Sequence, residues 1–394
     1  MVTLSIIFII VGALAVFAGI ASIGGLMVSI FGDVSATLEV SFVFFGAIIL
    51  IAGVMLLLSA KNDRTRQAVK KTINAKEFTL IIVLAVFVYV FWAINNNYLS
   101  AGNIMSIFNS GSLMGTLAVG LGCLLISGKI DLSAGSTGMM AGIIIAILLR
   151  EGMPWVPALV VTLVFGAVTG GLNAFFVNGM GFAPFISTLA VSTIYGGLSL
   201  VITTAAKIPI NNKSFLALGS TQIGVFPLPF IIMAILLAIY GVVLAVMGFG
   251  RRAYMTGGNA NATRLAGINP KKITTILFVN NGVIASLAGS IFASRMGMGS
   301  PSGVTGSDLD AITAIVLGGV AFTGGSGNMF GVFIGVLVIS GFQNGLVVSG
   351  LNAYYRVVAT GLLLVAALIL DYYRENAKKK ALSTPHRESL TAIK

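Results

Sequence analysis

Long apolar stretches alternate with short polar segments along this chain, and most are close to the ~20 residues that a helix needs to cross a bilayer. Two come first, Leu4–Ile30 and Val40–Leu58, followed by a charged linker, Lys61–Lys76. Six more follow: Phe78–Ile94, Ile104–Ile126, Leu132–Leu149, Trp155–Val177, Phe182–Ala205 and Leu228–Met247. After a second charged loop, Gly248–Lys272, come Ile273–Ser294, Leu309–Phe322, Met329–Val348 and Ala353–Leu370. The pattern predicts an all-α, polytopic transmembrane bundle in four parts: an N-terminal hairpin (1–60), a basic linker (61–77), a ten-span core (78–372) and a basic tail (373–394).

Composition agrees. Of the 394 residues 57% are hydrophobic and 9% charged, and mean hydropathy is +1.04. Soluble domains carry about 25% charged residues, so the natural solvent of this chain is lipid. Its 49 glycines suit close helix–helix approach. Met1–Ile30 has no basic leader and is too long for a cleavable signal, so it reads as a retained helix.

The net charge of +12 sits in loops, where it sets topology and meets lipid headgroups; no basic patch has the interleaved aromatics of a nucleic-acid site. With the N-terminus inside, 18 of the 23 Lys and Arg fall on the cytoplasmic side. Arg150, Lys207, Lys213, Arg295 and Arg356 fall outside. Both termini are therefore expected in the cytoplasm of a bacterial inner membrane.

Catalytic groups are scarce. The nearest approach to a phosphate-binding loop, Ser127-Gly128-Lys129-Ile130, lacks the leading glycine and the hydroxyl residue. The one histidine, His386, is in the tail, and the one cysteine, Cys123, sits in an apolar run as a packing residue. No cluster has metal-ligand spacing. This chain is expected to hold no cofactor and to catalyse nothing alone.

The strongest local signal lies in the second basic loop. Gly257 and Gly258 precede Asn259, a good N-cap. Residues 260–266 can make two helical turns, Gly267 suits the left-handed C′ position, Ile268 follows, and Pro270 blocks continuation. Ala262, Leu265 and Ala266 share one apolar face, with Arg264 free for a charged partner. A short capped helix between two spans is either an interfacial helix resting on lipid or a docking knob for a soluble subunit.

Polar residues within spans are costly and face a cavity or another helix. Asn109, Asn173, Asn280, Asn281, Gln343 and Asn344 are such residues, with Asp131 and Asp308 at span openings. Each either lines a solute path or bonds helix to helix; Tyr195, Phe185 and Phe175 either stack on a sugar ring or pack. The openings Gly128-Lys-Ile-Asp131-Leu132-Ser and Gly306-Ser-Asp308-Leu309-Asp310 echo one another from opposite faces, as in an inverted repeat.

Several strings in order resemble the ribose-type permeases of bacterial ABC importers over about residues 78–372. They are Ser127–Ser136, Phe182–Leu189 with Ile194–Leu198, Gly257–Asn259 with Ala262–Ile268, Gly306–Ile312 with Leu317–Gly319, Gly324–Gly327, and Asn344–Leu346. The resemblance implies a ten-helix core working as a dimer with a second permease copy or homologue. It also implies a cytoplasmic ATPase that binds ATP and Mg, and a sugar-binding protein outside. Residues 262–268 match the coupling segment. Gly196 and Ser326 stand where the family often has arginine, Asp308-Leu309-Asp310 replaces a usual Glu-Leu-Asp, and the hairpin is an addition. These departures leave the class intact and the substrate open. The expected activity is ATP-driven import of a small polar solute of the monosaccharide class. The alternatives are an ion-coupled secondary transporter, which wants a mid-span carboxylate, and a membrane scaffold.

Overall fold

In a computed structural model the residues described are 76–304, 306–351, 354–369 and 372. The hairpin, almost all of the basic linker and the basic tail lie outside them. Each of the ten stretches expected between residues 78 and 370 is a helix: α1 Lys76–Ile94, α2 Ala101–Ile126, α3 Ala134–Arg150, α4 Trp155–Ala174, α5 Pro184–Thr203, and, after α6 Lys213–Ser220, α7 Leu228–Val246. Next come α8 Gly248–Gly258, α9 Ala260–Leu265, α10 Pro270–Met296, α11 Ser307–Leu317, α12 Met329–Val348 and α13 Tyr354–Ile369. Two-residue strands make minor pairs, such as Ile208–Pro209 with Met298–Gly299. Among the described residues six helices are long and apolar enough to cross a membrane.

Two expectations change. The loop Gly248–Lys272 holds the eleven-residue helix α8 ahead of the predicted short helix. The expected span Leu309–Phe322 is the eleven-residue α11, stopped where Gly319 takes φ +90°. Eleven residues rise ~16 Å, about half of the ~30 Å hydrocarbon core.

The chain divides into two compact units, residues 76–107 with 344–351 and residues 108–343 with 354–372. In the first, Gly345 lets Phe91 approach, and Asn95 Nδ2 donates to Val348 O at 2.8 Å. The second is built on α10. A methyl group added at Gly289 would lie 1.8 Å from Gly138 O, and one at Gly282 would lie 2.0 Å from Gly166 O. Glycine is required there because α3 and α4 meet α10 backbone to backbone, as small residues allow in lipid.

Contacts fix the helix directions. Gly111 faces Ser340 and Gly122 faces Met329, so α12 runs against α2. Asn109 meets Arg295 and Gly120 meets Asn281, so α10 also runs against α2. α3 runs with α10, since Asp131 meets Asn281 and Gly142 meets Ala293. α11 runs against α12, since Ala314 faces Gly335 and Gly318 faces Gly331. The starts of α3 and α11 are therefore opposed, and they meet: a methyl on Gly135 would be 3.1 Å from Asp308 Cγ. The two echoing openings, expected at opposite faces, are instead oppositely directed helix starts that meet within the bundle; opposed direction is the form that inverted repeats take.

Candidate functional site

The basic end of the bundle carries the predicted short helix. The Asn259 side chain accepts from Ala262 N at 3.0 Å, which caps α9. Its far end closes with Gly267 N donating to Arg264 O at 3.0 Å and Ile268 N to Thr263 O at 3.2 Å, around Gly267 at φ +79°. This pair of bonds about a left-handed glycine is a Schellman closure. Pro270 then starts α10, whose cap is the Asn269 side chain accepting from Lys272 N at 3.3 Å. Backbone chemistry thus fixes both ends of α9. Its one buried side chain is Thr263; Ala262, Arg264 and Ala266 are exposed, and Leu265 is 91% exposed.

Gly257 and Gly258 end α8 and serve the base of this knob. A methyl at Gly257 would lie 2.0 Å from Ile126 O and 2.6 Å from Gly325 N; one at Gly324 would lie 2.7 Å from Gly128 Cα. Gly325 N donates to Ile126 O at 2.8 Å, and Tyr254 Oη to Gly327 O at 2.7 Å. Three loops, 126–129, 257–259 and 321–327, are therefore pressed together without intervening side chains. Burial raises the Tyr254 pKa. The phenol is thus held as a donor. Beside the knob lies a cavity of about 760 Å³, with Ser127, Lys129, Asn178, Arg264, Lys271 and Thr323 among its walls.

Deeper in the bundle the structure gathers three residues that the sequence marked singly. Asp131 is 2% exposed, Asn173 0% and Asn281 1%. Asp131 Oδ1 accepts from Ser133 N at 2.8 Å and Ser133 Oγ at 2.6 Å; its Oδ2 accepts from Asn281 Nδ2 at 2.9 Å and Asn173 Nδ2 at 3.3 Å. Asn173 Nδ2 also donates to Ser133 Oγ at 2.7 Å. Leu132 N donates to Thr188 Oγ1 at 3.0 Å, which adds α5. Four donors thus surround one carboxylate where α3, α4, α5 and α10 converge. Asp131 stands at a helix opening, as predicted, but that opening is inside the bundle.

The other candidates scatter. Asn109 offers its carbonyl to Arg295 Nη1 at 2.6 Å. Tyr195 bonds Thr169 Oγ1 at 2.9 Å and packs on Phe165, so it ties α5 to α4. Phe185 and Phe175 are 55% and 58% exposed. Asn280 accepts from Tyr240 Oη, and Gln343 donates to Thr360 Oγ1 at 2.9 Å. Asn344 belongs to the other unit, where its Oδ1 is buried with no partner among the described residues. Asp308 lies against Gly135. Sequence reasoning missed Thr263; it marked Gly257, Gly258 and Gly324–Gly327 separately, and nothing local said that these glycines meet.

Residues 103–368 match the family described as branched-chain amino acid transport system / permease component. The chain is 31% identical over 326 residues to the probable ABC transporter permease protein YphD of Escherichia coli K12, covering 82% of this chain and 97% of that one. It is 32% identical over 318 residues to the ribose import permease protein RbsC of Haemophilus influenzae, covering 79% and 98%. To the D-allose transport system permease protein AlsC of E. coli K12 it is 33% identical over 300 residues, covering 75% and 91%. No solved structure matches. The ordered strings, the helical bundle and these likenesses agree, and the chain belongs to the ribose-type permease family of ABC importers, as a multi-pass transporter subunit of the inner membrane rather than an enzyme.

Proposed function

We propose that this chain forms the path of an ABC importer for a monosaccharide and that α9 is the element through which a cytoplasmic ATPase drives it. The observation that carries this reading is a leucine 91% exposed on a helix whose two ends are fixed by backbone caps. A hydrocarbon side chain held rigidly in the open suits insertion into a partner's groove. ATP and Mg then belong to the ATPase, a sugar-binding protein delivers solute from outside, and both termini are cytoplasmic. The monosaccharide is supported by relatives whose names specify ribose, allose and xylose.

A second permease copy or homologue is supported by α5, the least buried of the six long helices. Methyl groups at Gly196 or Gly197 would meet nothing within 4 Å, and Thr193, Ile194 and Val201 are exposed. We assign the solute path to this open face, with Phe185 beside it. Movement at α9 has a route inward: through Gly257 to Gly128, then along residues 128–131 to the Asp131 carboxylate that holds α3, α4 and α10.

Orientation is tested by Ala262→Cys and Ser214→Cys with an impermeant maleimide in intact cells; the native Cys123 is buried and stays silent. Position 214 should label and position 262 should not, and the reverse result would overturn the orientation. Uptake in proteoliposomes carrying the ATPase should require ATP and survive collapse of ion gradients.

A further inference from the structure

We infer that the cavity beside α9 is a binding site for the headgroup of an anionic phospholipid. Three cationic side chains line it, Lys129, Arg264 and Lys271, and no carboxylate does. Among the described residues the single ion pair is Arg150–Glu151, at the far end of α3, so none of the three is neutralised there. The N-terminus of the 27-residue α10 opens on the same space at Pro270 and Lys271, adding the positive end of a long helix. At about 760 Å³ the space lies within the range of ligand pockets, about 300–1,000 Å³.

The opposite wall points to lipid rather than to a free anion. Residues Phe175–Gly179 form a π-helical turn that places Val177 and Asn178 in the wall. Asn178 is held by Thr275 Oγ1 at 2.9 Å and Thr274 Oγ1 at 3.1 Å. Phe175 in this turn, and Met180 and Phe182 just after it, are 58%, 53% and 49% exposed, with the Phe182 ring stacked on Phe176. A basic recess beside an aromatic ledge on a membrane protein satisfies both ends of a phospholipid: phosphate in the recess, acyl chains along the ledge. Basic pockets between helices at the cytoplasmic ends of spans take anionic headgroups in this way. The site needs only the membrane location and not the docking role of α9.

The test uses the full purified chain in phosphatidylcholine micelles, titrated with phosphatidylglycerol and read by native mass spectrometry. The parent should retain one phosphatidylglycerol in preference to phosphatidylcholine. Lys129→Gln with Lys271→Gln should weaken retention roughly tenfold or more. Lys272→Gln, which removes a charge outside the recess, should stay within about twofold. Lys129→Arg should bind as the parent does, which separates lost charge from lost folding. The inference is overturned if the double variant retains lipid like the parent, or if Lys272→Gln falls as far. It is overturned equally if millimolar inorganic phosphate displaces the lipid, or if added ATPase displaces it and fails to bind the double variant.

Discussion

At the opening of α3 a carboxylate, Asp131, is 2% exposed, while on α9 a leucine, Leu265, is 91% exposed. Each reverses the common placement of its residue type. The carboxylate is held by side chains from three helices, and much of its surroundings depends on it. The leucine is held by almost nothing tertiary; the caps at Asn259 and Gly267 shape its helix, and Thr263 alone anchors it. A change at Asp131 should therefore register first as loss of fold, and a change on α9 as loss of coupling in a protein that still folds. The two regions are joined by the loop 126–131, so the separation has a limit that mutants can locate.

The largest effect is expected from Asp131→Leu. It leaves the amides of Asn173 and Asn281 and the Ser133 hydroxyl without their acceptor inside a lipid-facing bundle. Each buried unsatisfied donor costs about 1–3 kcal/mol, against a total margin of about 5–15 kcal/mol. Little monodisperse protein should elute in size-exclusion chromatography. Asp131→Asn keeps the shape and an acceptor oxygen and should fold with a lowered Tm. A Leu variant that elutes and melts like the parent would show that the hub is not what holds α3, α4 and α10.

How much of this contrast is legible in the sequence depends on distance along the chain. The cap order from Asn259 to Pro270 is local, so the helix, its closure and its exposed face can all be read from twelve adjacent residues. The ten helices are legible because apolar length alone marks them. α8 is hidden, since Gly-Phe-Gly-Arg-Arg at its start reads as loop and the helix rests on its contacts with loops 126–129 and 321–327. The hub is hidden more deeply. Asn173 and Asn281 stand 42 and 150 residues from Asp131, so each polar residue is conspicuous alone while nothing local says that they meet. Tyr195 shows the converse: an aromatic conspicuous as a sugar-stacking candidate is engaged by Thr169 and Phe165.

Next in size is Gly267→Val. With φ at +79°, a β-branched residue is strained, at a cost of order 1–3 kcal/mol. No heavy atom lies within 4 Å of a methyl placed there, so the penalty is backbone strain alone and the loop can relieve it by opening the Schellman closure. The Tm of the bundle should move little, whereas sugar-stimulated ATPase activity of the assembled importer should collapse. Asn259→Ala, at the other end of the same helix, removes one capping bond, worth about 1 kcal/mol, and should give a partial version of the same phenotype. A large drop in Tm for either variant would mean that α9 is part of the fold's support.

The smallest change in stability belongs to Leu265→Ser, and it separates the two regions most cleanly. The side chain is 91% exposed, so its removal costs the free bundle almost nothing; surface changes of this kind stay within about 0.5 kcal/mol. If the leucine fills a groove on the ATPase, the complex loses the burial of one large aliphatic group, roughly 2 kcal/mol or some thirtyfold in affinity. Melting curves of the purified variant and parent should therefore superimpose, while retention of the ATPase on the immobilised permease falls in the same preparation. Arg264→Glu provides the control for charge: its partner, if acidic, is repelled, and the loss should shrink as salt rises, whereas the Leu265→Ser loss should not. Parent-like retention in both variants would leave α9 as a helix resting on lipid, and the 91% exposure of Leu265 would then mark a membrane contact instead of a docking knob.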